Sequence, residues 1–492
     1  MEICLSAFLG EMATRSINFL ISKCFKPTAL ELENRLRRVL LRARVIVDEA
    51  MQRHITNQAM LQQLDMLKEA MHRGHYILDT LRYRSHDKEY VEDQTVSHSS
   101  VLTKVNYVKD LCFSTRTSTQ ILGEMQEVLD SLSSLIIESK ELVLFLMSYP
   151  CMYREPYGMH LLLSKYMFGR QTEKELVIKF LLHSQPHATE ELEVLPIVGP
   201  GRVGKSTLVA HVCNDQRVRD HFSEIMLLRD FRDEKLTTLR EGFAEDQENC
   251  TSRKDKRMLV VIEAVGDLDE GEWSRLYSAS KVWLKSGSKI IITSRSDKIS
   301  NLGTTQVLTL KYFSHEAYWY FFKTLTFGST DPEMHPRLAY LAMEIARELN
   351  GSIISANITA SFLRDNFDFH FWRVVLALLR GFIQRHVSRF GEHPSDVLDQ
   401  NRPAYLEIVG RTFKEVVMLC HQYQSSSPEV VPKIRIQDVT YGSARPPGRF
   451  QALGWRSQIP PYYNYVYICE IRHLETTASK RKRSMRNGVT LP

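Results

Sequence analysis

Gly199, Gly204, Lys205 and Ser206 stand at the spacing G-x-x-x-x-G-K-[ST], a set of residue types suited to holding phosphate. Glycines let backbone N–H groups turn inward around phosphate oxygens, and the start of a following helix adds partial positive charge. Lys205 would bridge terminal phosphates, and the Ser206 hydroxyl would hold Mg²⁺. Gly201, Arg202, Val203 and Thr207 complete the expected contact set. The apolar lead-in Leu195–Val198 reads as a strand, and Leu208–Val212 reads as the helix behind the loop. The pattern predicts a bound purine nucleotide; the bland alternative is a Gly-rich turn that binds nothing.

Phosphate chemistry of this kind needs an acid at the end of a second hydrophobic strand to hold Mg²⁺, usually through water. Hydrolysis needs a further group to orient the attacking water. Met258–Val265 is such a strand, and Glu263 takes the acidic position. Ala264 follows it and can neither orient water nor accept a proton. Asp267, Asp269 and Glu270 read as solvated loop charges. Nucleotide binding is therefore expected, and efficient hydrolysis is not.

The elements that must position these residues alternate. Apolar β-type runs at Leu195–Val198, Glu224–Leu228, Met258–Val265, Lys289–Arg295 and Gln306–Leu310 predict a parallel sheet covered on both faces. Phosphates should then lie at the carboxyl ends of its strands. Before this unit, three apolar stripes recur at helical spacing: Leu32 to Ala50, Met60 to Leu81, and Ile121 to Leu146. They predict an antiparallel helical bundle over residues 1–148, interrupted by a polar loop over Ser85–Ser118, with a linker at 149–163. Ile3–Ser22 reads as a helix with a wide apolar face, either buried or available to a membrane or partner. The nucleotide unit spans 164–328, and a second helical region covers 329–390. Residues 391–492 carry a weak signal: strand character at Lys433–Tyr441 and Tyr465–Ile471, a loop at Ser425–Pro428, and no assignable fold. The fold class expected is thus multidomain, α and α/β.

Bulk composition excludes several classes. The 492 residues are 43% hydrophobic and 25% charged, an ordinary globular balance. Of the net charge of +6, five units fall in Ile471–Pro492, so the body is nearly neutral and the tail Lys480–Arg483 is basic. No sequence-specific nucleic-acid partner is expected from a tail without interleaved aromatics. Eight scattered cysteines without metal-ligand spacing suit a reducing compartment. The N-terminus lacks a signal-peptide pattern, and no run of eighteen apolar residues exists. Cytoplasmic localisation is expected, with nuclear import through the tail or peripheral membrane contact through the first helix as alternatives.

In this order, the motifs resemble the nucleotide-binding module of plant NLR disease-resistance proteins, the NB-ARC signalling NTPases. The resemblance covers roughly residues 1–385. Phe168-Gly169-Arg170 resembles the motif whose backbone and hydrophobic residues line the adenine, and Gly199–Thr207 is the phosphate loop. Gly287–Arg295 matches the next strand, where the family implies that Arg295 senses the terminal phosphate. Leu308–Ser314, Ala317–Trp319 and Phe327-Gly328 match the following block. The N-terminal helices resemble the Rx-type coiled-coil domain, and 329–390 the helical ARC1-like subdomain. Departures are specific. The second motif usually shows two Asp and then Trp, where this chain has Glu263, Ala264 and Gly266. Gly351-Ser352-Ile353-Ile354 replaces Gly-Leu-Pro-Leu, and neither a Met-His-Asp motif nor leucine-rich repeats follow, so the resemblance is to a truncated member.

The resemblance implies an ADP/ATP-binding switch in plant defence whose helical N-terminus self-associates or engages other NLR or defence-signalling proteins. A truncated adaptor or decoy regulating full-length receptors is the alternative. A turnover ATPase is disfavoured by Ala264.

Overall fold

The computed structural model describes residues 28–96, 118–150, 167–183, 192–229, 257–264, 268–284, 286–400, 402–408, 415–425, 431–440, 442–457 and 462–473. They divide into two compact units, one within Met1–Ile55 and Gln62–Arg154, the other within Thr56–Leu61 and Glu155–Pro492. The expected first helix, the linker beyond Pro150 and the basic tail lie outside the described residues.

The first unit is helical. Helix α1 (Ala29–Met51) starts at a capping box, in which Thr28 Oγ1 accepts from the Glu31 N–H and Glu31 accepts from the Thr28 N–H. Its apolar stripe buries Leu32, Leu36, Leu40, Ala43 and Val47. Helix α2 (Gln58–Val96) contributes Leu64, Leu67 and Met71, and α3 (Ser118–Glu138) contributes Met125, Val128 and Leu132. At Gly74 the three helices meet, because a Cβ there would lie 2.8 Å from Leu40 and 3.3 Å from Leu132. Helix α4 (Lys140–Leu146) is tied to the end of α1 by Arg53, which donates to the carbonyls of Leu146 and Tyr149 at 2.9 Å each. The loop expected from Ser85 is corrected in part: α2 continues to Val96. That stretch holds no Gly or Pro, so nothing in the backbone stops the helix where its apolar stripe ends.

In the second unit, α5 (Gln171–Leu182) precedes a five-stranded parallel sheet. Its strands are β1 (Glu193–Val198), β2 (Glu224–Arg229), β3 (Met258–Glu263), β4 (Lys289–Ser294) and β5 (Leu308–Thr309), in the order β2-β3-β4-β1-β5. Helices α6 (Lys205–Cys213) and α7 (Gln216–His221) follow β1, and α8 (Glu270–Trp283) follows β3. The period-2 alternation of strand side chains sorts the core into two layers. Leu195, Ile197, Leu259, Val261 and Ile291 face α5 and α6 through Val177, Ile178, Leu208 and Val212. Val194, Val198, Val260, Ile262, Ile290 and Ile292 face α8 through Trp273 and Leu276. Hydrophobicity on both faces is why these strands read as continuous apolar runs.

Four helices follow: α9 (His315–Phe327), α10 (Pro336–Glu348), α11 (Ile353–Asp365) and α12 (Phe369–Phe390). Trp372 of α12 is fully buried, and its indole N–H donates to the carbonyls of Leu363 and Asn366 at 3.0 and 2.9 Å. A short helix, α13 (Pro394–Asp399), leads into residues the sequence left unassigned. They form an antiparallel sheet of β6 (Ala404–Glu407), β7 (Glu415–Ser425), β8 (Arg449–Arg456) and β9 (Asn464–His473), ordered β6-β7-β9-β8. The strand expected at Lys433–Tyr441 is corrected to a one-turn helix, α14 (Ile436–Thr440). The Asp438 carboxylate accepts from the Arg435 N–H at 2.9 Å, and Ile436 and Val439, three residues apart, enter the core of this sheet.

Asp215 caps α7 and also pairs with Lys174 at 3.1 Å and Arg217 at 2.9 Å. Burial raises its pKa, but hydrogen bonds and charge from Arg217 and Lys174 outweigh that, leaving it below the ordinary value of 3.8. Its contribution to stability is therefore full above that value and is lost as pH falls through the acid range. Asp215→Ala is expected to cost about 1–3 kcal/mol at pH 7 in thermal or urea unfolding, shrinking toward zero below pH 3.

Candidate nucleotide site

The loop between β1 and α6 is shaped by close backbone contacts. The Leu310 N–H donates to the Val198 carbonyl at 2.8 Å, and a Cβ on residue 199 would lie 2.5 Å from the Leu310 carbonyl oxygen. Only glycine fits there. Arg202 (φ 58°) and Gly204 (φ 99°) are left-handed, so the chain reverses twice before α6 begins. Lys205, Ser206 and Thr207 form the first turn of α6, where N–H groups have no acceptor within the helix. Lys205 Nζ folds over the loop and donates to the carbonyls of Gly199 and Pro200 at 2.6 and 2.8 Å. Across the loop, the Tyr312 hydroxyl donates to the Gly201 carbonyl at 3.0 Å.

The Phe168–Arg170 segment converges on the same place. Gly169 is left-handed, and a Cβ there would lie 3.1 Å from the Phe313 ring. Met167 reaches Gly204, with its methyl 3.6 Å from where a Cβ on residue 204 would stand. Phe168 sits among Phe313, Tyr320 and Phe321, with ring centroids 5.1–6.3 Å away. Arg170 is buried. Its guanidinium pairs with Glu173 at 2.8 Å, donates to the Lys311 carbonyl and lies 4.9 Å over the Phe313 ring. It therefore staples the start of α5 to the chain after β5.

Strand register places the remaining candidates. Val198 is opposite Ser294, so Arg295, half-buried, leaves β4 beside Gly199. Glu263 ends β3 opposite Thr293, two strands from β1 and about 10 Å across the sheet. The Ala264 N–H is pinned to the Thr293 carbonyl at 2.8 Å, and its methyl packs in the core layer facing α8. Burial, with the Glu263 charge adding to it, pushes the Cys213 thiol at the end of α6 up to about 12. All the sequence-derived candidates thus lie along the carboxyl edge of one sheet or on the segment before α5.

Sequence reasoning missed three contributors: Leu310 and Tyr312 beside the loop, and Tyr465 of β9. The Tyr465 hydroxyl lies 3.2 Å from Thr207 Oγ1, 258 residues away in sequence. No spacing rule could have paired them.

Residues 170–331 match the NB-ARC domain. Disease resistance protein RGA2 of Solanum bulbocastanum is 31% identical over 214 residues, covering 40% of this chain and 22% of that protein. Putative disease resistance RPP13-like protein 1 of Arabidopsis thaliana is 24% identical over 229 residues, covering 43% of this chain and 22% of that protein. The chain thus spans about a fifth of the length of the curated relatives it matches. The matched segment is thus similar to the NB-ARC domain and to part of plant disease-resistance proteins. Among solved structures, the replication initiator DnaA bound to AMPPCP and single-stranded DNA covers 46% of this chain and 72% of its own at 14% identity and a TM-score of 0.29. The E. coli MS115-1 HORMA:CdnC:Trip13 complex covers 45% and 93% at 13% identity and a TM-score of 0.28. Superpositions this loose say nothing about what the chain binds.

Gly199→Ala forces its methyl against a backbone carbonyl that cannot rotate away. It is expected to lower the unfolding free energy of the nucleotide unit by about 1–3 kcal/mol in thermal unfolding. Gly123→Ala, in α3 with nothing within 4 Å of the added methyl, is expected to be neutral or stabilising.

Proposed function

We propose that this chain is an ADP/ATP-binding signalling switch of plant innate immunity, with ADP holding a resting form and ATP a signalling form. The observation that carries this reading is the loop itself: a glycine forced by Leu310, two left-handed residues, a lysine folded over the loop and an open first turn on α6. Such a cradle fits a phosphate chain. The backbone N–H groups from Gly201 to Thr207 and the Lys205 ammonium would bind it, Arg295 would read its terminal group, and Phe168 would line the base. Mg²⁺ would neutralise charge between phosphate oxygens, held by Ser206 and, through water, by Glu263. Among the described residues no group of three His, Cys, Asp or Glu is placed to hold a metal ion, so the phosphates would complete the coordination. With Ala264 pinned and apolar where a second acid would stand, turnover is at most slow and exchange does the switching.

In this reading, 1–148 is the helical signalling domain, 164–328 the nucleotide domain and 329–390 an ARC1-like subdomain, while 391–492 adds the antiparallel sheet. The N-terminal helices would self-associate or meet other defence-signalling proteins. No described helix is long and apolar enough to cross a membrane. Ala264 and the Ser352-capped turn in place of a proline-containing one favour a second reading, an adaptor or decoy for full-length receptors in which nucleotide is structural or absent.

Purified wild type and Lys205→Ala, denatured and analysed by chromatography, separate the two. The switch predicts near-stoichiometric ADP released by the wild type and little by the variant. An empty wild type that also fails to take up added ADP or ATP would leave the adaptor reading.

A further inference from the structure

The hydroxyls of Tyr465 and Thr207 are the meeting point of two parts of the second unit that the sequence does not connect. Thr207 is the third residue of α6, in the turn whose N–H groups face the phosphate cradle. Tyr465 is on β9 and is 4% exposed. Around the contact, Tyr463 and Tyr465 pack with Ile354 and Ile358 of α11, Ala210 of α6 and Trp455 of β8. The Trp455 and Tyr465 rings are 5.5 Å apart. Burial raises the Tyr465 phenol above its ordinary range, with the nearby Glu263 charge contributing, so it stays protonated and able to donate at physiological pH. Ile354 lies in the first turn of α11, so this one cluster joins the phosphate-loop helix, the helical subdomain and the C-terminal sheet.

A threonine hydroxyl accepts from up to two donors while donating its own hydrogen once. We propose that Tyr465 is a positioning residue of the phosphate site: its O–H donates to Thr207 Oγ1 and turns the Thr207 hydrogen toward the phosphates of a bound nucleoside diphosphate. Nucleotide occupancy and docking of the C-terminal sheet on α6 are then coupled, and by linkage each strengthens the other equally. The inference rests on the nucleotide reading above and adds to it a sensor from outside the matched domain, which ends at residue 331.

The test uses the full chain and ADP as the probe, with Kd from calorimetry for wild type, Tyr465→Phe, Thr207→Val, the double variant, Thr207→Ser and Lys205→Ala. Phenylalanine keeps the packing of the cluster, so the protein should stay folded without ADP, its melting temperature lowered by no more than the loss of one hydrogen bond. Each of Tyr465→Phe and Thr207→Val is expected to weaken ADP about 2- to 10-fold. The double variant should be no weaker than the worse single, and Thr207→Ser should bind like the wild type. Hydrogen exchange in Asn464–His473 should slow on adding ADP to the wild type, and should not in Tyr465→Phe. Lys205-dependent ADP binding that Tyr465→Phe leaves unchanged, or single-variant effects that simply multiply, would overturn this inference alone. A wild type that binds ADP no better than Lys205→Ala would overturn the nucleotide reading and this inference with it.

Discussion

The contact of Leu310 with the end of β1 is the constraint on which the rest of the site depends. The Leu310 N–H donates to the Val198 carbonyl while the Leu310 carbonyl occupies the space a side chain at 199 would need. The loop therefore has to leave the sheet through glycine, and it leaves at a height set by β5. Everything downstream follows from that exit: two left-handed residues turn the chain, and α6 starts with its first N–H groups pointing back toward the sheet edge. Lys205 and Tyr312 then close the loop with bonds to its own carbonyls.

The parallel sheet makes that edge a site. Register carries Glu263, Thr293, Ser294 and Val198 to the same level, so an acid, an arginine-bearing turn and the phosphate loop emerge side by side. The two core layers hold the strands from both faces, which leaves the carboxyl edge as the place where polar groups can gather. Charge at this edge is asymmetric. Lys205 and Arg295 stand at the loop end of this edge, Arg170 is consumed by Glu173 and a carbonyl, and the position after Glu263 is an alanine packed in the core. That arrangement suits retention of an anion better than activation of water.

Beyond the matched domain, the helical subdomain and the C-terminal sheet converge on α6 through a cluster of isoleucines, tyrosines and a tryptophan. A polar contact inside this apolar cluster has few competing partners. A change at the phosphate loop would therefore be felt in β9 through packing as well as through one hydrogen bond.

The sequence by itself determined the elements whose signal is local. Helical stripes at 3–4 residue spacing located α1, α2 and α3, and five apolar runs located the parallel strands, because burial imposes a period on the chain that carries it. The phosphate loop was legible for the same reason: backbone geometry demands glycine at fixed steps within nine residues. What failed was non-local. Residues 85–96 stay helical although their apolar stripe has ended, and Ile436–Thr440 became a helix because a capping carboxylate and a sheet surface were available to it. The antiparallel sheet of 404–473 was invisible beyond one short run, Tyr465–Ile471, since its strands pair across long separations that no window contains. Tertiary structure alone decided that Leu310 would force Gly199, that Arg170 would be consumed as a staple, and that Tyr465 would meet Thr207. Each of these depends on where the backbone of a distant segment comes to rest, and residue type does not encode that.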